Sequence, residues 1–511
     1  MLASVKSCGI TGIDGYIVTV EVDARPGMPT FEVVGLPDAA VKESRERVRA
    51  AISNSKIEFP FMHTTVNLAP ADVKKEGPLY DLPIAAALLM ATGRIPQNSA
   101  AEYVMAGELS LDGAVRSING ALPMVISARQ RGVRKFILPL ENALECACIL
   151  DVEIYPAKSL EAVVGHLTGE RPLAPREHVE YDPLYDEEPA GSDLKYVRGQ
   201  RAAKRALEIA AAGGHNLLMI GSPGSGKTML ARCLPSILPP MTFEEALEIT
   251  KIHSVSGALG KNRGLMSRRP FRAPHHTASS AALVGGGKSA MPGEISKAHN
   301  GVLFLDELPE FPRNVLEALR QPMEDGQVMV VRVGAQVAYP SRFMMVCAMN
   351  PCPCGHLGAR NAQCRCTPAA VSRYLGRISG PLLDRIDMHI EVESINVSEI
   401  SSPEGDEEPS AVVRQRVESA RKRQLSRYEG QGIFSNAQLG ARQLQKYCAM
   451  TVEARALMEM AAEKMGLSTR GYTRMLKVAR TIADLAGEDK IGQEHVAEAV
   501  QYRSLDRKYW S

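Results

Sequence analysis

The spacing of apolar and polar residues changes several times along the chain, and each change marks an element. Residues 16–22 alternate as a half-buried strand does, and residues 30–34 read as its partner. Asp38 is placed to cap a helix that lines up Val41, Val48 and Ile52 on one face. Residues 64–68 read as another strand, and 83–92 as a helix buried all round. A turn at Asp112-Gly113, a helix over 121–131 and a strand over 135–138 follow. This mixture predicts an α+β domain over residues 1–170. Residues 171–193 carry prolines and a run of acids with no apolar period, which predicts a flexible acidic linker.

Beyond the linker the pattern switches to short unbroken apolar runs at 216–220, 302–305, 343–349 and 388–392. Such runs suit central parallel strands covered on both faces, so residues 194–398 are expected to form an α/β core. Within it, 327–333 and 335–339 flank Gly334 and read as a β-hairpin. An acidic, proline-containing break near 401–410 precedes helical periods at 411–428, 441–448, 452–465, 472–486 and 493–501. Residues 399–511 are therefore expected to be a helical lid. The basic face of 411–428 (Arg414, Arg416, Arg421, Lys422, Arg423, Arg427) reads first as solvated, with DNA or neighbour contact as the second reading.

Composition narrows the class. Of 511 residues, 45% are hydrophobic and 23% charged, the balance of a globular protein. No apolar run is long enough for a membrane helix, and the first residues do not read as a secretory signal. Four of ten cysteines crowd between Cys352 and Cys366, a spacing of metal ligands in a reducing compartment. A cytoplasmic location without a membrane partner is expected. A net charge of +2 neither requires nor excludes nucleic acid, so any DNA surface must be local or repeated around a ring.

The chemistry centres on Gly221-Ser222-Pro223-Gly224-Ser225-Gly226-Lys227-Thr228, set between a strand and a helix. Glycines let backbone N–H groups curl around an anion, and the helix N-terminus adds positive potential. Lys227 is expected on the β- and γ-phosphates of ATP, and Thr228 on Mg²⁺. The run 301–305 ends in Asp306-Glu307, where a parallel sheet presents its ligands. Asp306 is expected to bind Mg²⁺ and Glu307 to activate water. Asn350, ending the next apolar run, is placed to sense the γ-phosphate. Arg385 is the candidate arginine finger for a neighbouring subunit, with an internal ion pair as the competing reading. Arg470 is the candidate lid arginine, with Arg474 one turn on as the alternative. Cys352, Cys354, Cys364 and Cys366 offer four thiolates for a structural Zn²⁺, with His356 as a substitute ligand.

Two resemblances join these signals. Residues 5–165 resemble the proteolytic domain of the Lon protease family, through Lys75-Glu76-Gly77-Pro78, 106–113 and Arg131-Gly132-Val133. Leu79 and Leu122 stand where that family carries its catalytic serine and lysine, so the fold is expected without the peptidase. Residues 196–505 resemble AAA+ ATPases of the magnesium-chelatase branch, through 271–277, 292–295, 298–301, 316–324 and 350–355. Together the two halves resemble the ComM (YifB) family. That resemblance implies a hexameric DNA helicase driving branch migration in natural transformation, on single-stranded or branched DNA. It also implies that the 327–339 hairpin faces a pore, where Arg332 would meet phosphate, and that 279–291, with Lys288, forms a second loop. The alternatives are a magnesium-chelatase-type subunit and an AAA+ protein-remodelling chaperone.

Overall fold

The computed structural model describes all residues except 184–192, 261–263, 288–289, 333–334, 359–362, 395–406 and 511. Two compact units emerge: residues 1–182 with 242–267, and 183–241 with 268–511.

The first unit is built on a seven-stranded sheet. Strands β1 (Leu2–Thr11), β2 (Asp14–Arg25), β3 (Thr30–Val34), β4 (His63–Ala69) and β5 (Tyr103–Met105) are followed by a short hairpin, β6 (Glu108–Leu109) and β7 (Val115–Arg116). Strands β8 (Lys135–Pro139) and β9 (Glu153–Ala157) complete the sheet, in the order β3-β4-β2-β1-β5-β8-β9. The alternation of β2 buries Val18, Val20, Val22 and Ala24. Helix α1 (Ala39–Asn54) starts where Asp38 accepts the Val41 N–H at 2.8 Å, and buries Val41, Val48 and Ile52 as expected. In α2 (Asp81–Ala91) every residue is buried. Its Asp81 is held by Arg47 and Ser44. Leu122, on α3 (Ala121–Gln130), lies wholly inside the core, and Leu79 packs against it. Both positions therefore do packing work.

Helices α4 (Leu140–Cys146) and α5 (Leu160–Thr168) complete this part. The described start of the expected tether is not free. Arg176 N–H donates to Ile154 O at 2.7 Å and Val179 N–H to Ala147 O at 3.1 Å. Residues 242–267, placed by sequence in the ATPase core, also pack into this unit.

In the second unit, α6 (Arg201–Gly213) leads to β10 (Leu217–Ile220) and α7 (Lys227–Ile237). Helix α8 (Phe243–Val255), closed at its start by a Thr242–Glu245 capping box, is part of the segment that leaves for the first unit. The chain returns through β11 (Phe271–Arg272), β12 (Gly285–Gly286) and β13 (Met291–Pro292). After them come β14 (Val302–Leu305), β15 (Gln327–Arg332), β16 (Ala335–Pro340), β17 (Met344–Met349) and β18 (Met388–Glu391). The main sheet is parallel throughout, in the order β11-β14-β17-β10-β18. Its central strands are buried at every position, which is why they read as unbroken apolar runs.

β15 and β16 form the expected hairpin, paired from Gln327↔Pro340 to Arg332↔Ala335. Val331 is exposed near its end. Gly334, Lys288 and the Arg332 side chain lie outside the described residues. The C-terminal helices (Ser410–Arg427, Ala441–Tyr447, Val452–Met465, Thr469–Ala486, Gln493–Gln501) share one continuous hydrophobic core with the parallel sheet. Most arginines of the first of these bind within the chain. Arg416 pairs with Glu208 and Glu408, Arg427 with Asp484, and Arg421 donates to Ala211 O.

Candidate functional site: a phosphate-binding loop and a four-cysteine loop

β10 delivers the chain into the loop 221–226, and the first turn of α7 begins at Lys227. Gly224 and Gly226 take φ of 76° and 90°, which L side chains rarely adopt. Gly221 runs so close to Val392 O that no Cβ would fit.

Lys227 is buried. Its Nζ donates to Gly221 O at 2.8 Å, Ser222 O at 2.9 Å and Asn350 Oδ1 at 3.3 Å. Burial holds its pKa below the ordinary lysine value, against the opposing pull of Asp306. Thr228 Oγ1 donates to Asp306 Oδ2 at 2.8 Å. These hard oxygen donors fit Mg²⁺. The neighbouring strands β10, β17 and β14 thus bring Lys227, Thr228, Asn350 and Asp306 together.

Glu307 follows with φ of 53°, a left-handed conformation uncommon outside glycine, and its carboxylate is exposed. His276 Nδ1 lies 3.3 Å from Glu307 Oε2, and the His275 and His276 rings lie tilted by 33° with centroids 4.1 Å apart. Sequence reading gave these histidines no chemical role. Gln200 Nε2 donates to the Ser225 carbonyl at 3.3 Å and to the Glu393 carbonyl at 2.6 Å, tying the start of α6 to the loop.

The two candidate arginines lie together on another anion. Arg385 is only 4% exposed, donates to Pro381 O at 2.6 Å and pairs with Glu324. Arg470 Nη2 stands 3.6 Å from the same Glu324 oxygen. The internal ion pair considered for Arg385 is therefore present in the single chain. Arg474 pairs with buried Asp387 at 2.5 Å and donates to Arg385 O at 2.8 Å. Burial would raise the Asp387 pKa, but Arg474, His215 and the Asn216 N–H hold it far below the usual carboxylate range.

Beside Asn350, Cys352, Cys354, Cys364 and Cys366 bring all four sulfurs within 4.8 Å of one another. Cys352 Sγ is 3.4 Å from Cys354 Sγ and 3.7 Å from Cys364 Sγ, and the last two are 3.6 Å apart. Backbone N–H groups of His356 and Arg365 hold the Cys354 thiol down to about 6.

Three family models match the chain. Residues 193–400 match magnesium chelatase, subunit ChlI; residues 20–142 match subunit ChlI of Mg-chelatase; residues 407–503 match the ChlI C-terminal model. YifB of Salmonella typhimurium, itself uncharacterized, is 46% identical over 99% of this chain and 98% of its own. Competence protein ComM of Haemophilus influenzae is 44% identical over the same shares. The chain belongs to the YifB/ComM family of magnesium-chelatase-type AAA+ proteins. Its N-terminal part also has Lon-like kinship: Lon protease of Rhizobium meliloti is 27% identical over 34% of this chain and 22% of its own. The AAA+ fold with a helical C-terminal region, preceded by a Lon-like α+β unit, is as the sequence implied.

Proposed function

We propose that this protein is a cytoplasmic, ATP-hydrolysing ring motor, a hexamer, that moves single-stranded or branched DNA in helicase-type branch migration during transformation and recombination. The observation that carries the reading is the split of its polar groups. Lys227, Thr228, Asp306 and Asn350 converge on one phosphate site, whereas Arg385 and Arg470 sit together on Glu324. Among the described residues, no helix is long and apolar enough to cross a membrane.

In this reading the glycine loop and Lys227 hold the ATP phosphates, and Thr228 and Asp306 hold Mg²⁺, which supplies charge neutralisation. Glu307 orients and deprotonates water, and His276 sets the position of its carboxylate. Arg385 and Arg470 of one copy leave Glu324 for the γ-phosphate held by the next copy, exchanging one anion for another. Placing Arg470 in the neighbour's pocket departs from the expectation that it covers its own nucleotide, because it shares Glu324 with Arg385. The four cysteines hold a structural Zn²⁺.

The name competence protein ComM, borne by a relative matched end to end, supports DNA as the partner. The family models support the second reading, a magnesium-chelatase-type subunit. ATP hydrolysis measured with and without forked DNA separates the two, and also separates the motor from a protein-remodelling chaperone. Stimulation several-fold by DNA, with strand displacement, is expected. An unchanged rate would overturn the reading.

A further inference from the structure

The cysteine loop does not stand apart from the phosphate site. Only Pro351 separates Cys352 from Asn350, the residue bonded to Lys227. Gly355, between the two cysteine pairs, has φ of 81°, and a Cβ there would lie 2.5 Å from Pro223 Cδ of the phosphate-binding loop. At the far end the loop runs through Thr367 into the helix Pro368–Leu375. The loop thus meets the candidate nucleotide site at Pro223 and where it leaves Asn350.

We propose that one zinc ion on Cys352, Cys354, Cys364 and Cys366 braces the phosphate-binding loop, so that nucleotide affinity depends on the bound metal. This rests on the zinc reading above. Tetrahedral Zn²⁺ with Zn–S bonds of about 2.3 Å sets sulfurs about 3.8 Å apart. The separations of 3.4, 3.7 and 3.6 Å fit that spacing, and none is near the roughly 2.05 Å of a disulfide. Zinc is favoured over harder cations because all four donors are thiols. The Cys366 N–H donates to Cys364 Sγ at 3.5 Å, the kind of outer contact that fixes a thiolate's direction.

The described part of 350–367 has no regular helix or strand. No helix or strand ladder orders its described residues, so in this proposal the ion supplies ordering free energy. With the metal in place, Gly355 is pressed on Pro223 and Asn350 is presented to Lys227. Without it, both contacts loosen and the loop 221–226 loses one wall.

The test uses the full chain purified without chelator. Zinc is counted by mass spectrometry, removed with a thiol-reactive mercurial and returned. Binding of a fluorescent ATP analogue is measured at each stage, with circular dichroism as the check on folding. One zinc per chain is expected, with affinity falling on the order of tenfold on removal and returning with zinc. Gly355→Ala, which keeps every cysteine, is expected to retain its zinc and still weaken the analogue. Metal well below one per chain overturns the site. Unchanged affinity in the folded, stripped protein overturns the brace, and if stripping unfolds the chain, unchanged affinity in Gly355→Ala does so. None of these readouts involves DNA, so they fail independently of the motor.

Discussion

The Asn216 side chain donates from Nδ2 to the backbone carbonyl of Arg385 at 2.9 Å. Its Oδ1 accepts the Met345 N–H at 2.8 Å, and its own N–H donates to Asp387 Oδ2 at 2.8 Å. One residue at the head of β10 therefore joins the strand that runs into the glycine loop 221–226, the strand that ends at Asn350, and the candidate arginine finger. Asn216→Ala should leave ATP binding within about twofold and lower kcat roughly ten- to a hundredfold, the size of effect that misplacing a catalytic group produces. Steady-state kinetics beside a binding titration reads the split. An unchanged kcat would remove Asn216 as a positioning residue.

Arg474 has a different role from Arg470. It neutralises the buried Asp387 carboxylate, so Arg474→Met leaves a charge without its partner. A loss of about 3 kcal/mol is expected in denaturant unfolding. Because the folded pKa of Asp387 is depressed, the pair's contribution is present above the unfolded value of 3.8 and is lost only as pH falls below it. Adding Asp387→Asn should recover part of the loss, and a strictly additive double variant would contradict the pairing.

Glu145 gives the opposite pH dependence. Its carboxyl is buried beside Asn142, which donates at 2.7 Å, and burial pushes its pKa from 4.5 up to about 7. Between these values the folded chain keeps a proton that the unfolded chain releases. Stability contributed here is full below pH 4.5 and falls as pH rises to about 7, by roughly 3 kcal/mol. Glu145→Gln should therefore raise the unfolding temperature at pH 8 and leave it little changed at pH 5. An equal shift at both values would mean that Glu145 is ionised throughout.

Most of the second unit was legible in advance because its strands are buried on both faces and its loops carry glycine, lysine and paired acids. Strand β14 announces itself by Val302–Leu305, and Asp306 by following it. Strand β1 is hard to read because its alternation, buried Ala3 and Val5 against Ser4 and Lys6, breaks at Ser7, a polar residue that is itself buried. The two-residue β11 was missed because it is too short to show a period. The route of 242–267 into the first unit was invisible, since helix α8 buries Ile249, Ile252 and Val255 in a manner any core helix would. So was the contact of His276 with Glu307, which joins residues far apart in the chain. The Arg385–Glu324 pair corresponds to the competing reading of Arg385, an internal ion pair. Its partner was not legible, because charge patterns do not say which acid faces which base.

In the proposed ring, Arg385 of one copy completes the pocket built by Lys227, Thr228 and Asp306 of another. Mixing two inactive full-length variants, Lys227→Ala and Arg385→Ala, tests it most directly. Random co-assembly would place an intact pocket against an intact Arg385 at roughly a quarter of the interfaces. ATP hydrolysis should then reappear in the mixture at about that share of the unsubstituted rate, while each variant alone stays silent. A mixture as inactive as its components, or an Arg385→Ala protein that hydrolyses ATP at full rate alone, would contradict it.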